Sequence, residues 1–254
     1  MGNSNIKVLG EGFISEGEYN NIKVLGECRG IGNIKANKVN VLGDANFNGD
    51  IEFEVLKVNG STCIEGNFAC NELKVNGDLT IKGNCDINTL VVNGEVRSLS
   101  NIKCNNVTIR GSLNCNKNIT SQYIKSYGEL IVKENIESEI VNIEGKIVCE
   151  GLLNAEEVVI APMGRCKCNE IGASNVEVTN PKGIFKNNLF FGRVKSIDCN
   201  LIEGDTISLI YSNVKNIRGK SVKIIDKCKI ENIEYNDLLE VSSNSSVKSS
   251  SKVG

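Results

Sequence analysis

The sequence predicts an all-β fold: a single-stranded, triangular, parallel β-helix, or solenoid, made of 17-residue coils. Three observations carry this. Glycine recurs at a constant 17-residue step, at Gly26, Gly43, Gly60, Gly77, Gly94, Gly111, Gly128 and Gly145, and a period of this size marks a repeat architecture. Apolar residues align in columns once each of these glycines is set as an origin. Finally, 25 Gly accompany only 5% aromatic residues, so Ile, Val and Leu must fill most of the core between frequent sharp bends.

The columns define the sides of the coil. Four and two residues before the origin stand Val39 and Val41, Leu56 and Val58, Leu73 and Val75, Leu90 and Val92. Two and four after it stand Leu79 and Ile81, Leu113 and Cys115, Leu130 and Val132. Eight and ten after it stand Ile51 and Phe53, Phe68 and Cys70, Cys85 and Ile87. Each pair is apolar-x-apolar, the period-two alternation of a strand. Between the pairs lie three corners. The origin glycine forms one; Gly32, Gly49, Gly66, Gly83 and Gly151 form the second; Asn37, Asn71, Asn88 and Asn105 form the third. Gly and Asn tolerate φ > 0, which a tight bend between short strands is expected to need. A lone coil cannot bury its inner face, but a stack of coils can. A helical solenoid would need apolar residues at three-four spacing, which is absent.

Along the chain, residues 1–20 read as a lead-in coil or cap, in which Gly10 precedes Gly26 by one residue less than the repeat. The β-helix core is expected over 21–180. The phase slips after Gly172, and Pro181 opens a loop at 181–192 containing Phe185, Phe190 and Phe191, a candidate docking loop. Residues 193–235 read as irregular further coils or a cap. The Ser-rich tail, 236–254, is expected to be disordered because it lacks any apolar period.

The 17-residue Val-x-Val-x-Gly units, such as Leu73-Lys74-Val75-Asn76-Gly77-Asp78-Leu79-Thr80-Ile81-Lys82-Gly83, resemble bactofilins, the polymer-forming bacterial cytoskeletal proteins. The stretch Leu201-Ile202-Glu203-Gly204-Asp205-Thr206-Ile207, with Val214–Gly219 and Ile230–Tyr235, resembles the longer Gram-positive type. The resemblance covers roughly residues 20 to 235. It implies a right-handed helix, nucleotide-independent filaments formed by end-to-end stacking, and scaffold roles in cell shape, envelope or motility. The partners it implies are further copies of the chain, then envelope or motility client proteins and a peripheral membrane contact.

Composition narrows the chemistry. With no His, no Ser-His-Asp triad, Cys-His dyad, His general base or His-ligated zinc is available. This disfavours the alternative function, a hexapeptide-like β-helix acyltransferase, whose general base is usually His. No enzyme activity, cofactor or metal is expected. A net charge of −2 lacks the basic excess of a nucleic-acid binder. The N-terminus shows no basic and apolar leader, so a cytoplasmic protein, with membrane association through the peripheral contact, and reduced thiols is expected. Of the 11 Cys, Cys28, Cys70, Cys85, Cys104, Cys115, Cys149 and Cys166 fall on inward phases, whereas Cys63 and Cys168 do not. Cys149 and Cys166 are expected to share a column on adjacent coils. Asp44, Asp78, Glu95 and Glu129 follow corner glycines and read as a solvated face. Self-assembly is assigned to the ends of the stack: Ile6, Val8, Ile22 and Val24 at one, Ile224, Ile230 and Ile233 at the other.

Overall fold

The computed structural model describes residues 4–181 and 195–253. Every regular element among them is a β-strand, and the strands pair in parallel. The chain divides into two compact units, Met1–Gln122 and Tyr123–Gly254, rather than at the boundaries read from the sequence.

Unit 1 alternates short and long strands: β1 (Asn5–Val8), β2 (Glu11–Ile14), β3 (Gly17–Val24), β4 (Glu27–Ile31), β5 (Ile34–Val41), β6 (Asp44–Asn48), β7 (Ile51–Val58), β8 (Ser61–Ile64), β9 (Phe68–Val75), β10 (Asp78–Ile81), β11 (Cys85–Val92), β12 (Glu95–Ser98), β13 (Ile102–Ile109) and β14 (Ser112–Cys115). Strands β1 to β12 each pair with the strand two places on, so Val39, Leu56, Leu73, Leu90 and Val107 face one another in register, one repeat apart. This is the β-solenoid that the repeat predicts. Within β7, Ile51 and Phe53 are buried, then Leu56 and Val58, while Glu52, Glu54 and Lys57 are exposed. The alternation slips by one at Glu54 and Val55, which turns one continuous strand from one side of the coil to the next. The third corner is therefore a bend inside a strand and not a break. The core contains the rings of Phe47, Phe53 and Phe68, edge to face at centroid distances of 5.6 and 6.2 Å.

The corners differ from expectation in their physics. Among the described residues no origin glycine has positive φ; Gly17, Gly32 and Gly49 are the glycines that do. An added Cβ at Gly43, Gly60, Gly77 or Gly94 would instead overlap the carbonyl oxygen of the glycine one coil earlier. These residues are glycine because backbone passes directly over backbone. The corner asparagines have no positive φ either. They are joined between coils: the Asn88 side-chain amide donates to Asn71 Oδ1 at 2.9 Å, and Asn105 donates to Asn88 Oδ1 at 2.9 Å.

β15 (Ile119–Ser126) is followed in unit 2 by β16 (Glu129–Val132), β17 (Ile136–Glu137), β18 (Ile140–Pro162), β19 (Arg165–Val178), β20 (Ser196–Ile210), β21 (Ser212–Asp226), β22 (Lys229–Val241) and β23 (Ser246–Lys252). The longer of these strands run through their corners. Leu153, Ile171, Ile202, Ile217 and Ile233 are successive register partners. The region 193–235 therefore continues the coils wherever it is described. Two of its corners, Tyr211 (φ 49°) and Lys227 (φ 51°), occupy the left-handed region without being glycine, and the Lys227 ammonium lies 5.4 Å from the Tyr211 ring centre. The Ser-rich tail is a correction. It forms β23, paired along Lys229–Tyr235 of β22, because a polar strand can still complete its backbone ladder on an existing edge. Residues 182–194, including Phe185, Phe190 and Phe191, lie outside the described residues.

Candidate functional site

Three places hold chemistry: the thiols, the terminal coils and the charged outer faces. Ten of the 11 Cys are buried and Cys63 is half-buried; all are free thiols. Burial pushes the thiols of Cys70, Cys85, Cys104 and Cys199 up to about 12 and that of Cys149 up to about 11. The fully buried Cys168 is raised well above its ordinary value, first by burial and then by neighbouring sulfurs. Such groups are neutral thiols at physiological pH and pack as small hydrophobes. Cys63 donates to Glu65 Oε1 at 3.6 Å, and burial followed by the Glu65 charge raises it too.

Two thiol assignments are corrected. Cys168 is buried, and the register partner of Cys149 is Cys168, not Cys166. The shift arises because the 145–164 coil is longer than the repeat by two positions, moving the next strand along. Cys168 in turn faces Cys199, so three thiols stack on successive coils. No grouping of three or more Cys, Asp or Glu among the described residues is arranged to hold a metal.

The terminal coils place the assembly residues differently from expectation. Ile6 is half-buried in β1, and Val8 is 8% exposed. Ile22 and Val24 lie one coil further in and are fully covered. Ile224, Ile230 and Ile233 are also buried, because the final coil lies over them: Val247 faces Ile230 and Ser250 faces Ile233. These five residues are core, not stacking surface. What the first coil exposes are Leu9 and Phe13, at 68% and 72%. Among the described residues β1 bonds only to β3 and β2 only to β4. Ser4 and Val8 turn their carbonyls to the Asn20 and Leu25 amides of the next coil. Strand alternation then points the Lys7 amide away from that coil, at the outer edge.

Sequence reasoning identified one asparagine column and missed two. Before the corner glycine, Asn76 donates to Asn59 and Asn93 to Asn76, both at 2.8 Å. After the second corner, the Asp50 amide donates to Asn33 Oδ1 at 3.0 Å and the Asn67 amide to Asp50 Oδ1 at 2.8 Å. The Asn118 amide likewise donates to Asn101 Oδ1 at 3.2 Å. The signal was present in the same 17-residue step, in polar columns that apolar counting skips.

The predicted outward carboxylates do face outward, as the first residues of β6, β10, β12 and β16. Glu95 accepts from Arg97 at 2.7 Å, and Glu129 pairs with Lys146. Among the described residues no helix is long and apolar enough to cross a membrane.

Comparison with known proteins adds one relative. No family model and no solved structure matches the chain. It is 36% identical over 104 residues to the uncharacterized protein YhbE of Bacillus subtilis (strain 168). The match covers 41% of this chain and 44% of that protein, so the chain spans less than half of its relative's length. The relative's name carries no activity.

Proposed function

We propose that this chain is a structural scaffold that assembles end-on with copies of itself, without nucleotide, in support of cell shape, envelope or motility. The observation that carries this reading is the first described coil, in which β1 and β2 each have one bonded edge among the described residues beside the exposed Leu9 and Phe13. An unpaired parallel edge is a template for another strand. A contact of this kind that does not close generates a filament. Apolar burial alone is too weak a drive: covering Leu9 and Phe13 would contribute about 3–6 kcal/mol, against an association cost of about 4–15 kcal/mol. The backbone ladder must supply the remainder. The resemblance to bactofilins supports the same reading.

Negative-stain microscopy of purified protein without nucleotide tests it, and filaments are expected. Lys7→Pro removes an outer-edge donor without touching a hydrogen bond inside the coil stack. It should shorten or abolish filaments while leaving the thermal midpoint near wild type. Lys74→Asp, an exposed change in the middle of unit 1, should not. A monodisperse monomer at high concentration across salt conditions would overturn the reading, as would equal effects of the two variants.

A further inference from the structure

Two grooves of opposite charge lie on the strands that follow the first corner of the coil. In unit 1 a groove of about 600 Å³ is lined by four carboxylates, Glu27, Asp44, Glu65 and Asp78, against a single guanidinium, Arg29. In unit 2 a groove of about 550 Å³ is lined by four ammonium groups, Lys167, Lys215, Lys229 and Lys248, against two carboxylates, Asp198 and Glu231.

Neither groove neutralises itself. In the acidic one, Arg29 pairs with Glu27 at 3.7 Å and Lys82 with Glu65 at 2.8 Å, which leaves Asp44 and Asp78 without an ion pair among the described residues. In the basic one, Asp198 is taken by Arg165 at 2.9 Å and Glu231 by Lys248 at 3.2 Å. Lys167, Lys215 and Lys229 are left without an ion pair among the described residues. All five free charges are exposed.

Both rows are graduated by the same coil rise. Glu27, Asp44, Ser61 and Asp78 are in-register partners on successive coils; so are Lys167, Asp198, Asn213 and Lys229. Successive coils are about 4.8 Å apart, so the charges of two solenoids lying side by side are spaced in multiples of the same step. Glu27 and Asp44, stacked on adjacent coils, repel, and ammonium groups on a facing groove relieve that repulsion.

We propose that the acidic groove of unit 1 docks laterally on the basic groove of unit 2 in a second copy of the chain. This deepens the self-assembly reading, on which it rests, adding a salt-sensitive side-to-side contact to an end-on contact made by backbone pairing. The second copy is the occupant because the complementary groove, of similar volume, is carried on the same chain.

The test uses two full-length variants. Asp44→Lys with Asp78→Lys makes both grooves basic; Lys215→Glu with Lys229→Glu makes both acidic. The changed side chains point to solvent, and circular dichroism checks that each variant folds. Sedimentation and filament width are compared at about 0.05 M and about 0.5 M salt, where screening shortens from more than about 10 Å to a few ångströms. Wild type should associate laterally at low salt, about tenfold or more weakly at high salt. Each variant alone should lose lateral association, and an equal mixture of the two should regain it. The proposal is overturned if either variant alone bundles as wild type, if the mixture stays apart, or if wild-type association ignores salt. It is also overturned if the Lys215/Lys229 variant loses only the binding of inorganic polyphosphate, which would make the basic groove a site for an anion. Single filaments that never bundle would overturn this proposal and leave end-on stacking intact. Salt-sensitive lateral dimers without filaments would do the reverse.

Discussion

Raising the pH is expected to unfold this protein through its buried thiols. Cys70, Cys85, Cys104 and Cys199 are held at about 12, and Cys149 at about 11, from an ordinary value of 9.0, by burial in the coil interior. A thiol whose value is raised on folding contributes stability that is complete below the unfolded value. That stability is lost as pH climbs from about 9 towards the folded value, because only the unfolded chain releases the proton there. At pH 10 each such thiol favours the unfolded chain by about 1.4 kcal/mol. Five together reach about 7 kcal/mol, comparable to the whole stability of a typical domain. The assay is urea denaturation followed by circular dichroism in reductant at pH 8, 9 and 10. The diagnostic comparison is Cys104→Ala, which removes one of these thiols. It should be less stable at pH 8 through the lost packing. Above pH 9 its stability should fall less steeply than that of wild type, by about 1.4 kcal/mol for each pH unit. A flat profile from pH 8 to 10, or equal slopes for the two proteins, would refute the reasoning.

Three further outcomes follow from the coil geometry. Gly77→Ala places a methyl against the Gly60 carbonyl oxygen and should cost at least about 2 kcal/mol. Gly164→Ala, which meets nothing within 4 Å, should stay within about 0.5 kcal/mol of wild type; equal urea midpoints for the two would sink the close-approach argument. Asn88→Ala removes the amide that donates to Asn71 and accepts from Asn105, and should lower stability by about 1–2 kcal/mol, whereas an unchanged thermal midpoint would mean the ladder is ornamental. Alkylation of the folded protein at pH 8, read by mass spectrometry, should label Cys63 well before the ten buried thiols. Early labelling of Cys70 or Cys104 would contradict their burial.

A repeat that stacks on itself makes its own architecture legible. In unit 1 the residue above Leu56 is Leu73 and the residue below is Val39, so a column counted in the sequence is a column in space. This is why the 17-residue period, the strand alternation and the inward thiols of Cys70, Cys85 and Cys104 could be read directly. What the amino-acid order alone left open depends on distances between coils. Tertiary structure decided that the origin glycines answer to a carbonyl one coil away and not to φ, and that asparagines are tied to one another across coils. It decided that two extra positions after Gly145 bring Cys168, and not Cys166, opposite Cys149. It also decided that Ile230 and Ile233 are interior, because a serine-rich strand with no apolar period still finds a backbone edge to complete. Composition reports the side chains a strand must bury; only the stack determines which backbone edges remain for it to join.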